Sequence, residues 1–418
     1  MLDFALPRHN LFKNKEEQMY EEILPQIITT NDTKLLLLVL DGLGGTTNEN
    51  GVTELEAANT PNMDALARAG SCGLHRPVGY GITPGSGPGH LGLFGYNPIK
   101  YQTGRGILEA FGVGMQVNPG DLAVRGNFAT LKDGLIVDRR AGRIPTELCR
   151  KLVAKLREHI KQIEDVTVDI EAGKDYRFAV VFRGPDLSDK VSDADPQIVG
   201  KPPKPAEPLA PEAEKSARIV NKFIQMATEI LADEHPANTV LLRGYATLPD
   251  IPKYEEKYKL RALGIASYPM YRGLAKLVGM DTPPVGETID DEIALLREKW
   301  NDYDFFFVHI KKSDSYGEDG NFEGKVKIIE EVDAQLPQIL DLAPDVIVIT
   351  GDHATPSVLR AHSWHPVPLL MKGRYTFADD ARKFSERECA KGILGHIPAE
   401  AIIMLMLADA GRLLKFGA

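Results

Sequence analysis

The chain has 418 residues, 43% hydrophobic and 26% charged, which is long enough for two domains with a sizeable core and ordinary for a soluble globular protein. Its 49 basic and 59 acidic residues leave a formal charge of −10, which argues against nucleic acid or an anionic membrane as partner and means that an anionic ligand needs a local basic pocket. Three widely separated cysteines, Cys72, Cys149 and Cys389, supply neither a disulfide framework nor a CxxC motif, so a reducing, cytoplasmic setting is expected.

The first residues, MLDFALPRHN, lack the apolar run of a secretory signal. "LLLLVL" (35–40) is short, continuously apolar and rich in Leu and Val, the pattern of a strand covered on both faces. "TPNMDALARAG" (60–70) has helical periodicity. "TPGSGPGHLGLFG" reads as a Gly-Pro turn leading into a short helix, with Ser86 at or near the helix N-terminus; His90 is assigned to the packing of that helix. From about 121 to 240 the character changes: "LAVRGNFATL", "VTVDIEA" and "YRFAVVFRG" are strands, "PQIVGKPPKPAEPLAP" is a stiff exposed loop, and "EAEKSARIVNKFIQMATEILAD" is a long helix. Beyond it lie a helix at 290–300, a strand "FFFVHI" (305–310), a helix at 324–340 and a strand "VIVIT" (346–350). "AIIMLMLA", near the C-terminus, falls far short of the ~20 residues that span a bilayer and reads as a buried helix. The expected architecture is therefore an α/β core with a mostly parallel sheet, residues 1–120 and 241–418, interrupted by an α+β cap domain at 121–240.

The residues just past each apolar strand are the informative feature. "LLLLVL" ends in Asp41, "FFFVHI" runs on to Asp314 and Glu318, and "VIVIT" ends in Asp352 and His353, with His365 twelve residues later. Groups just past the carboxyl ends of parallel strands line one crevice. An aspartate in such a place is commonly a turn residue, but together these side chains would crowd several negative charges into one site, and that arrangement repels itself without bound cations. Two divalent metal ions resolve it. Carboxylate and imidazole ligands without thiolates suit Mn²⁺ first, with Mg²⁺, Zn²⁺ or Co²⁺ also compatible.

Ser86 belongs to this picture. Backbone N–H groups at a helix N-terminus favour an alkoxide or a phosphate oxygen, the flanking glycines allow close approach of a phosphoryl group, and metal coordination activates a serine hydroxyl that is otherwise too weakly acidic to attack. A Ser-His-Asp hydrolase fits poorly, because Pro84 and Pro88 stand where the nucleophile elbow G-x-S-x-G requires glycine. A P-loop is absent from the sequence.

The segments "LLLLVLDGLGG", "TPGSGPGHLGLFGYNP", "GRGILEAFGVG", "DRRAGRI", "HIKKSDSYGEDG", "TGDHATP" and "HSWHPVP" resemble the archaeal-type, cofactor-independent phosphoglycerate mutases of the alkaline phosphatase superfamily. The resemblance implies an alkaline-phosphatase-like core, interconversion of 3-phosphoglycerate and 2-phosphoglycerate without bisphosphoglycerate, and transient phosphorylation of Ser86. It implies one metal site from Asp41, Ser86, Asp352 and His353, and a second from Asp314, position 318 and His365, where Glu318 replaces the histidine of related mutases. In the cap, Arg125, Arg139, Arg140 and Arg143 are the expected contacts of a small phosphorylated acid, since guanidinium forks suit carboxylate and phosphate. A phosphatase, a phosphodiesterase or a homoserine-kinase-like phosphotransferase would share the same metal core, and the sequence leaves a homo-oligomer open.

Overall fold

The computed structural model describes residues 15–417, with side chains from residue 20. The chain first lays down β1 (Leu35–Leu40) and β2 (Ser71–Arg76). It then builds β3 (Leu122–Lys132), β4 (Leu135–Asp138), β5 (Gln162–Ile163), β6 (Val166–Ala172), β7 (Arg177–Arg183) and β8 (Thr239–Thr247). The last third returns with β9 (Ala262–Ala266), β10 (Phe305–Ile310), β11 (Val346–Thr350), β12 (Val367–Gly373) and β13 (Gly395–Pro398). β1, β2 and β9 to β13 form one seven-stranded sheet in the order β13-β2-β12-β11-β1-β10-β9. β3 to β7 form a second sheet, with β8 paired to β3.

In the first sheet β1 runs parallel to both neighbours, β10 and β11, while β12 is antiparallel to β11 and to β2. All six residues of β1 are buried. Leu36, Leu38 and Leu40 enter a core with Met63 and Leu66 of the Pro61–Ala69 helix and Ile329 and Val332 of the Phe322–Leu340 helix. Leu35, Leu37 and Val39, pointing the other way, are equally enclosed, so helices and loops cover both faces. At about 1.5–3 kcal/mol for each fully buried Leu or Val, this strand contributes strongly to the hydrophobic driving force. The Ala401–Asp409 helix supplies Ile402, Ile403, Met406 and Leu407 to the interior, as its apolar sequence predicts.

The second sheet is antiparallel at each described pairing. β6 shows the one-sided pattern that β1 lacks: Val166, Val168 and Ile170 are buried, whereas Thr167 and Asp169 are exposed. The buried set packs with Leu152, Val153 and Leu156 of the Thr146–His159 helix and Ile219, Val220 and Phe223 of the Glu214–Ile230 helix.

The chain divides into two compact units, one comprising residues up to Lys100, Pro252–Ile265 and Val285 onward, the other Tyr101–Ile251 and Ala266–Pro284. The second unit thus extends beyond the 121–240 expected for a cap. The extra pieces are the Arg105–Gly112 helix, which packs on β3 and β8, and the Pro269–Leu277 helix, which packs on the first. Their contact is backbone-close: a side chain at Gly112 would meet the Pro269 carbonyl oxygen at 2.8 Å, and one at Gly273 the Leu108 carbonyl oxygen at 2.8 Å. No helix among the described residues is long and apolar enough to cross a membrane.

Candidate active site

Parallel pairing sets the site. Leu40 lies opposite Ile310 and Val39 opposite Thr350, so the segments leaving β1, β10 and β11 emerge side by side. Asp41 leaves β1 and turns at Gly42, whose φ of +71° is a conformation that glycine adopts without strain. The Gly42 N–H donates to Asp352 Oδ1 at 3.1 Å, tying the β1 turn to the β11 loop. Ser86 is the first residue of the Ser86–Leu93 helix. That helix sits directly on the Asp352 backbone: a Cβ at Gly89 would lie 2.4 Å from the Asp352 carbonyl oxygen.

The result is a compact cluster. His353 Nε2 stands 3.3 Å from Ser86 Oγ, 3.3 Å from Asp41 Oδ1 and 3.2 Å from Asp352 Oδ2. Asp41, Asp352 and His353 are fully buried, and Ser86 is half-buried. Ligand atoms of Asp41, Asp352 and His353 lie within 4.8 Å of one another, as do those of Asp314, His353 and His362. Burial would push the Asp41 carboxyl up, but the Lys311 ammonium and the His309 and His353 imidazoles hold it well below the usual carboxylate range. Lys311 Nζ bridges the clusters, contacting Asp314 Oδ2 and lying 3.2 Å from Asp41 Oδ2, and the two carboxylates outweigh its burial to raise it above an ordinary lysine. Three aspartates gathered in a buried site with imidazole nitrogens among them fit a hard or borderline divalent cation.

Asp41, Ser86, Asp352 and His353 therefore come together as one group, and Asp314 lies beside it. His365 does not join either group: its Nδ1 pairs with Ser363 Oγ at 3.0 Å and its ring stacks on Trp364. His362 stands there instead. Its Nε2 lies 3.6 Å from Asp314 Oδ1 and 3.7 Å from Glu318 Oε1, its Nδ1 pairs with the Pro84 carbonyl oxygen at 2.9 Å, and its ring stacks on His353 at 3.7 Å. Glu318 sits at the rim, its side chain 55% exposed. The spacing of "HATPSVLRAHSWH" offers two histidines, and the chain path alone selects between them.

The sequence pattern gives no role to His309 and assigns His90 to packing. His309 Nε2 is 3.3 Å from Asp41 Oδ2; the signal for it is a histidine inside an otherwise apolar strand. His90 packs against Phe94 and Phe307, and its Nδ1 also lies 2.8 Å from the Ser86 carbonyl oxygen and 3.1 Å from Asp352 Oδ2. His75 Nε2 lies 2.9 Å from the Gly351 carbonyl oxygen, and burial pushes its pKa down to about 4.

The second unit holds a distinct basic group. Arg125 of β3 faces Arg243 of β8 in the register, and its guanidinium is pushed down by burial and by Arg177, Arg243 and Arg105 against the opposing pull of Glu109. The Nε atoms of Arg125, Arg177 and Arg243 are buried without hydrogen-bond partners among the described residues. Converging guanidiniums of this kind suit an anion. Of the other expected arginines, Arg139 is engaged with Asp195 through two bonds of 2.8 and 2.7 Å, and Arg140 and Arg143 are exposed.

Comparison with known proteins gives one consistent answer. Residues 67–238 match the family described as 2,3-bisphosphoglycerate-independent phosphoglycerate mutase. The chain is 57% identical to a probable 2,3-bisphosphoglycerate-independent phosphoglycerate mutase of Aquifex aeolicus, over 95% of this chain and all of the relative. It is 56% identical to the Thermotoga maritima protein of the same description, over 95% of this chain and 99% of the relative. Among solved structures it resembles a cofactor-independent phosphoglycerate mutase of Thermoplasma acidophilum, with a TM-score of 0.72 and 31% identity over 91% of this chain and all of that one. A Pyrococcus horikoshii protein superposes with a TM-score of 0.80 and 33% identity over 93% of this chain and all of that one.

Proposed function

The chain belongs to the 2,3-bisphosphoglycerate-independent phosphoglycerate mutases, and from that membership we propose that it interconverts 3-phosphoglycerate and 2-phosphoglycerate through transient phosphorylation of Ser86. The observation that carries the mechanism is the meeting of a half-buried serine at a helix N-terminus with the buried Asp41, Asp352 and His353. Asp41, Asp352 and His353, with Ser86 beside them, would hold one divalent cation and Asp314 and His362 a second, with Glu318 at its edge. When bound, such cations supply positive charge to the serine oxygen and to the phosphoryl oxygens, and Mn²⁺ suits this donor set best.

Ser86 Oγ attacks the phosphorus of the bound phosphoglycerate. Ser86 gives up its hydroxyl proton, the bond to the glycerate oxygen breaks, and that oxygen takes up a proton in its place; the return step reverses this exchange. Glycerate stays bound, reorients and presents its other hydroxyl, which takes the phosphoryl group back from Ser86. The backbone N–H groups at the start of the Ser86–Leu93 helix favour the phosphoserine dianion. The Lys311 ammonium adds a fixed positive charge beside Asp41 and Asp314. In the second unit Arg125, Arg177 and Arg243 are the proposed anchors of the substrate anion, in place of the Arg139, Arg140 and Arg143 group. The free, buried Cys72, Cys149 and Cys389 suit the reducing cytoplasm.

A coupled mutase assay on metal-stripped protein, with Mn²⁺, Mg²⁺, Zn²⁺ and Co²⁺ added back singly, tests the reading. Turnover of 3-phosphoglycerate without added bisphosphoglycerate is expected, together with its loss in Ser86→Ala and a phosphorylated Ser86 peptide from substrate-quenched wild type. Release of free phosphate as the main product would make the protein a phosphatase instead.

A further inference from the structure

Thr355, fully buried, carries a hydroxyl that stands between the two ligand groups. Its Oγ1 lies 2.6 Å from Asp314 Oδ1 and 3.0 Å from His353 Nδ1. A hydroxyl has one proton to donate, and a carboxylate that also takes the Lys311 ammonium is an acceptor. The hydroxyl proton therefore goes to Asp314. The oxygen is left to accept, and the contact to His353 then requires the proton to sit on Nδ1 of the imidazole. His353 Nε2, among Ser86 Oγ, Asp41 Oδ1 and Asp352 Oδ2, keeps its lone pair for a cation.

The hydroxyl cannot drift, because the backbone bearing it is held on several sides. The Thr355 N–H donates to the Gly42 carbonyl at 3.0 Å. The Thr355 carbonyl accepts from Lys325 Nζ at 2.9 Å, and the same buried ammonium donates to the Gly42 carbonyl at 2.9 Å and the Gly44 carbonyl at 3.3 Å. One lysine thus fastens the loop after β1 to the loop after β11. Space is closed as well: a Cβ at Gly42 would lie 2.6 Å from Thr355 Oγ1, and one at Gly317 would lie 2.2 Å from the Thr355 carbonyl oxygen.

We propose that Thr355 is a positioning residue that locks His353 in the tautomer protonated on Nδ1, so that His353 serves the Asp41–Asp352 group through Nε2, and that the same hydroxyl orients Asp314 in the neighbouring group. The proposal rests on the metal-site part of the proposed function. A hydrogen-bonded second partner fixes ring orientation and ligand basicity at metal-binding histidines, and its removal costs about 10–100-fold in metal affinity.

Thr355→Val keeps the shape of the side chain and removes the hydroxyl; Thr355→Ser keeps the hydroxyl. In chelator-competition titrations with Zn²⁺ and Mn²⁺, Thr355→Val is expected to bind metal about 10–100-fold more weakly than wild type, with Thr355→Ser close to wild type. In nitrogen NMR of the Zn²⁺-loaded, histidine-labelled protein, wild type and Thr355→Ser are expected to show a hydrogen-bonded proton on His353 Nδ1, and in Thr355→Val that proton is expected to lose the downfield shift and the exchange protection that the hydroxyl gives it. Wild-type affinity in Thr355→Val would overturn the lock, and so would equal weakening in Thr355→Ser, which would trace the effect to the methyl group. A His353 found bare at Nδ1 in wild type overturns it even where the valine variant does not fold. Neither readout involves phosphoglycerate, so a failed mutase assay beside an intact lock would remove the functional reading alone.

Discussion

Two histidines three residues apart in "HSWH" have opposite fates. His362 lies over His353 and within reach of Asp314, whereas His365 is held by Ser363 and Trp364. Loss of even an outer partner of a metal ligand costs about 10–100-fold in affinity, so His362→Ala should lower metal affinity by at least that factor. His365→Ala should leave metal content unchanged. Metal analysis of the two purified variants after dialysis against limiting Mn²⁺ measures this, and depletion in His365→Ala alone would make His365 the ligand. Glu318→Ala belongs to the same experiment: with its carboxylate half-exposed and 3.7 Å from His362, it should lose less metal than His362→Ala.

At the scale of elements, the site depends on how closely the Ser86–Leu93 helix approaches the loop after β11. Gly89→Ala would place a methyl group 2.4 Å from a backbone oxygen, and the oxygen cannot move without moving Asp352 itself. Overpacking of this kind costs about 1–3 kcal/mol, so denaturant unfolding should show a loss of that size together with weakened metal binding. Unchanged metal affinity would mean that the helix shifts independently of Asp352. A second element, the Glu386–Cys389 helix, carries a pH signature. Burial raises Glu386 to about 7 from an ordinary 4.5, against the bond from Thr53 Oγ1 at 2.6 Å. A carboxyl raised on folding binds its proton more tightly in the folded state. Its contribution is therefore fully present below pH 4.5 and is lost as pH rises towards 7. His75, lowered to about 4, works in the opposite sense: its contribution is present above pH 6.5 and is lost as pH falls to 4. The two slopes offset each other in wild type. The stability of wild type minus that of Glu386→Gln should accordingly decline between pH 4.5 and 7, and a flat difference would show that Glu386 titrates normally.

At the scale of the whole molecule, the residues proposed for chemistry and those proposed for recognition belong to different units. Asp41, Ser86, Asp314, Asp352 and His353 belong to the unit built on the seven-stranded sheet, and Arg125, Arg177 and Arg243 to the other. The first group suits any phosphate monoester, whereas the arginines suit the anionic remainder of a particular one. Arg125→Met and Arg243→Met should therefore depress mutase turnover far more than slow hydrolysis of an aryl phosphate, while Arg139→Met, which breaks the pair with Asp195, should act mainly on stability. Parallel loss of both activities in Arg125→Met would place that arginine outside substrate recognition.

The sequence by itself determined the strands around the site and most of what projects from them. An unbroken apolar run such as 35–40, 305–310 or 346–350 has few stable places other than the middle of a covered sheet, and a polar residue directly after it must emerge at the strand's end. That logic is local, and it carried Asp41, Asp352 and His353 to their positions, while the Gly-Pro turn into a helix did the same for Ser86. The tertiary structure alone decided everything that depends on a return of the chain. Only packing selects His362 over His365, because both lie in an irregular loop with no periodicity to orient them. Only the antiparallel register brings Arg243 opposite Arg125 across more than a hundred residues. Only the folded core reveals why Lys325, in an ordinary helical pattern, is buried: its ammonium satisfies three carbonyl oxygens of two loops that neither charge nor spacing in the sequence connects.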